Sequence, residues 1–516
     1  MAIKTFAAID VGSYELGMKI YELSEKRGMR EITHVRHRIE LGTETYTNGK
    51  ISYGRVDELC KVLREYKEIM QSYHVDDYRA YGTSAIRETE NTTIILDQIR
   101  IRAGITIEVI SNSEQRFLDY KSIASRGEGF NRIIEKGTAI VDIGGGSIQI
   151  SLFDKDSLVT TQNLKLGILR LREKLNKIHP KNSQVEELVE EMINNQIYNF
   201  KKMYLKEYDI KNIIIVDDYI SPVLKGTVGQ TGEAGFIDVG AYYSFADELR
   251  KRKVDGMAEY LGIAEENVFL FFLAAILIKK LTKVLEAEYI WIPGVTLCDG
   301  MAYEYAEQNK IIAPAHNFEQ DIIACARNIS KRYMGSKKRG ETLEQITLTI
   351  FDSMKRIHGL GQRERLLLRI AALLHDCGKY ISLSAVAISS YNIVMATEII
   401  GLSHAEREIV ANIVKYNHLE FDYYEELTKT TFLDRTSYLM IAKLTAIIRV
   451  ANALDKSHKQ KFQDIKATLK EGELLLMVDN SMDITLEKGL FQEKADFFEE
   501  VYSVRPIIRQ KRINQF

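Results

Sequence analysis

The sequence predicts an α/β protein built from two similar lobes, and three observations carry that expectation. The stretch Thr5 to Ser13 reads as an apolar strand running into Asp10, Gly12 and Ser13. The stretch Ala139 to Gln149 repeats the plan, with Asp142, then Gly144, Gly145 and Gly146, then Ser147. Around both, patterns of strand and helix periodicity alternate. At 516 residues the chain exceeds one hydrophobic core and divides into about three or four domains.

In order, residues 3–10 read as a strand and 16–23 as its antiparallel partner. Residues 55–73 form an amphipathic helix, with Leu59, Val62, Leu63, Tyr66 and Met70 on one face. A short strand at 77–82 leads into Thr83-Ser84-Ala85, and helix 92–103 and strand 106–110 complete a first lobe over 1–123. The second lobe, 124–303, holds the glycine loop, a returning strand at 148–153 and helix 171–178, ended by His179-Pro180. A long helix at 184–204 and strands at 212–216 and 289–293 follow. Residues 304–458 read as nearly all helix. Residues 459–516 return to strands at 465–469 and 474–478 around Glu471-Gly472, then a helix at 489–502 and a basic end.

The loops carry the chemistry. Glycines lack Cβ, so the backbone at 144–146 is free to take positive φ and approach a ligand closely. Successive N–H groups there form an anion nest suited to phosphate, with Asp142 placed to hold a divalent cation. One such loop also reads as a plain glycine-rich hairpin with a solvated aspartate. Two loops, each after a strand, point to a phosphate gripped from both sides.

The pair resembles the phosphate loops of the actin-like (ribonuclease H-like) superfamily, which includes sugar kinases and heat-shock chaperone ATPases. Within it the chain resembles the exopolyphosphatase / guanosine-pentaphosphate phosphohydrolase family. Leu41-Gly42 with Gly49, Gly82-Thr83-Ser84-Ala85-Ile86-Arg87, Val109 to Glu114, and Leu166-Gly167 with Arg170 carry the likeness. It implies that Gly12, Ser13, Gly144, Gly145, Gly146 and Ser147 bind phosphate, with Mg2+ at Asp142 and Asp10. It also implies that Glu114 aligns and deprotonates the attacking water and that Arg87 stabilises phosphate charge. From the residues alone, Arg87 also reads as a surface partner of Glu88 or Glu90. Glu114 equally reads as a first-turn acid favouring the helix dipole behind a Ser111 or Ser113 cap.

Several positions depart from the family. Gln115 and Arg116 stand where it has a second glutamate and an alanine, and Tyr14 stands where it prefers asparagine. Asp217-Asp218-Tyr219 replaces a glycine-rich loop, so carboxylates there repel a phosphate chain or recruit a cation. Further on, Ile370 to Lys379 with His375 and Asp376, closed by Asp455, resembles the His-Asp (HD) motif of metal-dependent phosphohydrolases. The earlier ligand histidine is absent, because Arg339 occupies its register, and residues 384–391 contain none. An HD-like, metal-poor domain over 304–458 is therefore expected, then a small α/β cap.

Composition bounds the rest. Apolar residues make up 45% and charged residues 28%, as in an ordinary globular protein. A net charge of -2 offers no electrostatic case for nucleic acid or an anionic membrane. Cys60, Cys298, Cys325 and Cys377 stand far apart, without disulfide or zinc spacing, which suits a reducing cytoplasm. Val268 to Lys279 is apolar but too short to span a bilayer. The expectation is a cytoplasmic, homodimeric, Mg2+-dependent hydrolase that releases orthophosphate from inorganic polyphosphate. The alternatives are a guanosine pentaphosphate (pppGpp) phosphohydrolase, an ATP-dependent kinase or ATPase, and a non-catalytic phosphate-chain sensor.

Overall fold

The computed structural model describes residues 3–510 except 180, 182–183, 218–219, 222, 225–234, 253, 315, 430, 432, 463 and 479–481. Of the sequence expectations, those on Pro180, Asp218, Tyr219, Lys511 and Arg512 lie outside these residues. The chain forms two units, 1–318 and 319–516.

The first unit contains two sheets built on one plan. Strands β1 (Lys4–Val11), β2 (Glu15–Ser24), β3 (Gly28–Arg38), β4 (Asp77–Gly82) and β5 (Glu108–Val109) are ordered β3-β2-β1-β4-β5. Strands β6 (Thr138–Ile143), β7 (Ile148–Asp154), β8 (Ser157–Leu164), β9 (Asn212–Val216), β10 (Phe236–Asp238) and β11 (Tyr289–Trp291) are ordered β10-β11-β9-β6-β7-β8. In each sheet the first strand makes a hairpin with the second and pairs in parallel with the fourth. Val11 sits opposite Gly82, and Asp142 opposite Val216, so the parallel strands of each sheet end together. That edge is where open α/β sheets bind ligands. All six residues of β6 are buried, as a strand covered on both faces requires.

The apolar run at 268–279 lies within a helix, Glu265–Leu285, packed in the core of the second sheet. Helix Leu297–Gln308 returns to the first sheet, with Tyr305 stacked on Phe6 at 4.2 Å and Met301 in the same buried cluster. The second lobe therefore hands the chain back to the first before the unit ends.

The second unit is helical, with one small sheet. Strands β12 (Lys466–Lys470), β13 (Glu473–Val478) and β14 (Arg505–Gln510) run in that order, β12 antiparallel and β14 parallel to β13. The β12–β13 turn places Glu471 and Gly472 at φ 51° and 80°, as a type I′ hairpin requires. Helix Thr485–Tyr502 packs on helix Arg435–Leu454, so the expected terminal cap belongs to this same unit. Helix Arg435–Leu454 is long and apolar enough to cross a membrane, but 67% of that window is buried within the protein.

Candidate active site

The two sequence-predicted loops form matching turns that meet in one pocket. Gly12 N–H donates to Glu15 O at 3.1 Å, and Gly144 N–H to Ser147 O at 3.0 Å. Each turn is buttressed by the next helical segment of its lobe. Gly42 N–H donates to Ser13 O at 2.8 Å, and Leu169 N–H to Gly145 O at 3.0 Å. Asp10, Gly12, Ser13, Asp142, Gly144, Gly145, Gly146 and Ser147 all line the pocket, so these eight predicted residues are brought together.

The glycines are needed for a different reason from the one expected. None of Gly12, Gly144, Gly145 and Gly146 takes left-handed backbone. Close packing excludes a side chain instead: a Cβ on Gly145 would lie 2.9 Å from Ser13 Cβ. One on Gly146 would meet Ser84 Oγ at 2.2 Å and the Tyr46 hydroxyl at 2.3 Å, distances real Cβ atoms do not show. The Tyr46 hydroxyl sits between two serines of the first lobe, 2.7 Å from Ser13 Oγ and 2.9 Å from Ser84 Oγ. Arg170 packs 4.1 Å over the Tyr46 ring, donates to Gly146 O at 2.6 Å, and pairs with Glu88.

Two predicted catalytic side chains do not line this pocket. Ser111 caps helix Asn112–Ala124, and the Glu114 carboxylate turns back to accept the Ser111 N–H at 2.8 Å. Arg87 donates to Ile110 O at 2.6 Å and to the Asn112 side chain, tying β4's exit to the start of that helix. The helix instead presents Gln115 and Asp119 to the pocket. Gln115 Nε2 lies 3.4 Å from Asp142 Oδ2, and Gln115 Oε1 is buried with no hydrogen-bond partner among the described residues. Arg116, also buried, donates to Gln149 at 3.0 Å and to Thr161, anchoring the helix to the second sheet. The sequence carried the signal: Ser111-x-x-Glu114 is a capping-box pattern, and Gln115 and Asp119 are spaced to share a helix face.

Among the departures, Asp217 faces the pocket but already accepts Ile220 N–H at 2.6 Å, Ser221 N–H at 3.0 Å and Ser221 Oγ–H at 2.9 Å. Its carboxylate caps the chain that follows β9. Tyr14 lines the pocket and donates to Asn267, and burial pushes its hydroxyl pKa above the ordinary value. Behind the lining residue Thr296, Asp299 accepts the Thr296 N–H at 2.7 Å and pairs with Lys19 at 2.9 Å. Burial alone would raise the Asp299 carboxyl pKa, but Lys19 and Thr296 outweigh it and hold the value low.

The second unit assembles the other motif around an arginine. Arg339 lies 3.4 Å from Asp376 and 3.8 Å from Asp455, and donates to Asn452 at 2.9 Å. Lys379 lies 3.0 Å from the same Asp376. His375 donates from Nδ1 to Ala372 O at 2.8 Å, and His418 from Nε2 to His375 O at 2.8 Å. Burial holds both imidazoles below their ordinary pKa. Among the described residues, no three Asp, Glu, His or Cys side chains form a metal-binding group.

Comparison with known proteins supplies a family. The model of the Ppx/GppA phosphatase family matches residues 20–309, and that of Ppx/GppA phosphatase domain III matches 323–495. A guanosine-5'-triphosphate,3'-diphosphate pyrophosphatase of Vibrio atlanticus is 22% identical over 94% of this chain and 92% of its own. One of Aeromonas salmonicida is 22% identical over 81% of each chain. The crystal structure of an exopolyphosphatase from Cytophaga hutchinsonii superposes with a TM-score of 0.50 at 17% identity. It covers 61% of this chain and 100% of that one.

Proposed function

Because the chain belongs to the Ppx/GppA phosphatase family, we propose that it hydrolyses the terminal phosphoanhydride of inorganic polyphosphate and releases orthophosphate. One observation carries this reading: two equivalent turns, Gly12–Glu15 and Gly144–Ser147, close on one pocket from opposite lobes. Their backbone amides offer fixed positive dipoles, and phosphoryl transfer depends mainly on such positioning and electrostatics. With Arg87 outside the pocket lining, stabilisation of the terminal phosphoryl falls to these amides and to the cation.

Asp10, Glu15, Asp119, Asp142 and Asp217 also line the pocket, so a polyphosphate bound without a cation would meet several carboxylates. Hard oxygen donors at the ends of β1 and β6 suit Mg2+, which takes one or two carboxylates and completes its shell with water and phosphate oxygens. Asp10 and Asp142 would hold it, and it would neutralise charge on the phosphate oxygens. The small number of protein ligands fits such a substrate-bridged ion better than a dedicated metal cage.

Guanosine pentaphosphate is the second reading, favoured by the activity for which the Vibrio atlanticus relative, similar over nearly the whole chain, is named. For the second unit, an HD-like fold in which Arg339 stands in the metal's place is the accompanying proposal. The test is orthophosphate release from long-chain polyphosphate and, separately, from guanosine pentaphosphate, with Mg2+ and after chelation. Mg2+-dependent release from polyphosphate is expected. Release about tenfold faster from guanosine pentaphosphate would move the assignment to the second reading. Release from neither would end both.

A further inference from the structure

Single apolar side chains on a surface are ordinary, but adjoining ones mark a contact site. Among the described residues, Met334 and Leu383 are the most exposed large apolar side chains, 79% and 83% open to solvent. They stand on two loops of the second unit. Residues 333–336 link helices Phe318–Arg332 and Lys337–Ser353, and residues 381–385 lead from the turn Cys377–Tyr380 into helix Val386–Ala396. The Tyr333 and Tyr380 rings meet edge to face at 5.7 Å, which joins the two loops. Tyr380 and Ile381 are themselves 61% and 62% exposed. Each loop is closed by its own bonds: Gly335 N–H donates to Ser330 O at 2.8 Å, Ile381 N–H to Gly378 O at 3.0 Å, and Ala385 N–H to Ser382 Oγ at 3.1 Å. A fixed backbone therefore holds these side chains outward. The charge beside them is of one sign, since residues 331–338 and 379–388 hold five Lys or Arg and no Asp or Glu. Lys331, Arg332, Lys337 and Lys338 are exposed. Lys337 lies 3.9 Å from Glu341 one turn on, and Lys379 pairs with the buried Asp376. A net charge of -2 spread over the whole chain does not cancel such a patch. Screening confines the field of each exposed charge to about 10 Å at about 0.1 M salt.

We propose that these two loops dock the protein on an anionic lipid surface, with Met334, Ile381 and Leu383 entering the acyl boundary and the lysines meeting the headgroups. Docking of this kind draws its strength from buried apolar area together with attraction between basic side chains and acidic lipid. Tyr333 and Tyr380 carry an apolar ring and a polar tip, the combination that suits headgroup depth. A second copy of this chain fits the patch less well. In a two-fold pair the patch would face itself, setting lysines against lysines. An acidic protein would need a pocket shaped for each projecting tip, whereas a fluid lipid boundary needs none.

The test is co-sedimentation of the whole chain with vesicles of phosphatidylcholine alone and of phosphatidylcholine mixed equally with phosphatidylglycerol, at low and at high salt. Wild type is expected to associate with the mixed vesicles about tenfold or more strongly than with phosphatidylcholine, and to be released by salt. Met334→Ser/Leu383→Ser is expected to weaken that association about tenfold or more, and Lys337→Glu/Lys338→Glu likewise. Far-UV circular dichroism and the thermal midpoint should stay at their wild-type values, because all four side chains are exposed. Wild type that stays in solution with both kinds of vesicle overturns the inference. If it then binds polyglutamate, the patch belongs to an acidic protein. If it instead forms a dimer that Met334→Ser/Leu383→Ser abolishes, the patch belongs to a second copy. Vesicle binding that both variants retain places the lipid contact elsewhere and overturns the inference as well.

Discussion

The carboxylate of Glu114 and the backbone of Ser111 are bonded reciprocally: Ser111 N–H donates to Glu114 at 2.8 Å, and Glu114 N–H to Ser111 Oγ at 3.2 Å. This capping box fixes where helix Asn112–Ala124 begins. The helix register in turn decides that Gln115 and Asp119, rather than Glu114, reach the pocket.

Glu114→Ala is therefore expected to lower stability by about 1 kcal/mol, the usual cost of losing a cap interaction. Urea denaturation at neutral pH checks it. An unchanged midpoint would mean the box contributes nothing to this helix.

Gly146→Ala places a methyl 2.2 Å from Ser84 Oγ and 2.3 Å from the Tyr46 hydroxyl. Either the loop retreats or Tyr46 leaves its bonds to both serines. Displacement of a positioning loop by about 1 Å can cost about 10²-fold in rate. Steady-state phosphate release should show a loss of that order, with far-UV circular dichroism unchanged.

Arg339→Met removes the guanidinium from between Asp376 and Asp455, each less than a tenth exposed. Breaking a buried ion pair from one side costs about 3–5 kcal/mol. Lys379 still faces Asp376 at 3.0 Å, so the lower end is expected. The thermal unfolding profile measures it, and a midpoint within error of wild type would exclude a structural role for the arginine.

His358 is buried, accepting Leu360 N–H at Nδ1 (2.9 Å) and donating from Nε2 to Phe351 O (3.0 Å). Burial lowers its pKa, so the unfolded chain binds the proton more readily than the folded one. The stability from this group is present above the unfolded value of about 6.5 and is lost as pH falls toward the lower folded value. Urea midpoints between about pH 7 and 5 should fall for wild type. They should fall less for His358→Gln.

Much of this architecture was legible in the residues. Strands Asp77–Gly82 and Asn212–Val216 and helix Thr92–Ala103 lie where periodicity puts them, because apolar runs between turn signals leave little choice. Strand Gly28–Arg38 was not legible. It lies at a sheet edge, no residue in it is fully buried, and it carries arginines, histidines and a glutamate. Strand Ser157–Leu164, at an edge of the second sheet, escaped because only Leu158 and Thr161 of its residues are buried and threonines, a glutamine and an asparagine interrupt the apolar pattern. The loops of the site were legible because an aspartate, glycines and a serine after a strand form a local pattern. The helix side of the pocket was not. There the choice between neighbouring residues turns on a cap that rotates adjacent side chains by about 100°. The assignment of helix Leu297–Gln308 to the first sheet depends on contacts with Phe6 and Lys19, nearly three hundred positions away.

A positive charge on a side chain obeys no binding isotherm. Where an ion between Asp376 and Asp455 would stabilise a fold only in proportion to its free concentration over its dissociation constant, Arg339 supplies charge at full occupancy from the moment the chain is made. Asp376 and Asp455 are thereby held together by a charge that is part of the chain itself. The arrangement is also permanent, because a covalently attached guanidinium cannot dissociate from the site and does not lose its proton in the physiological range.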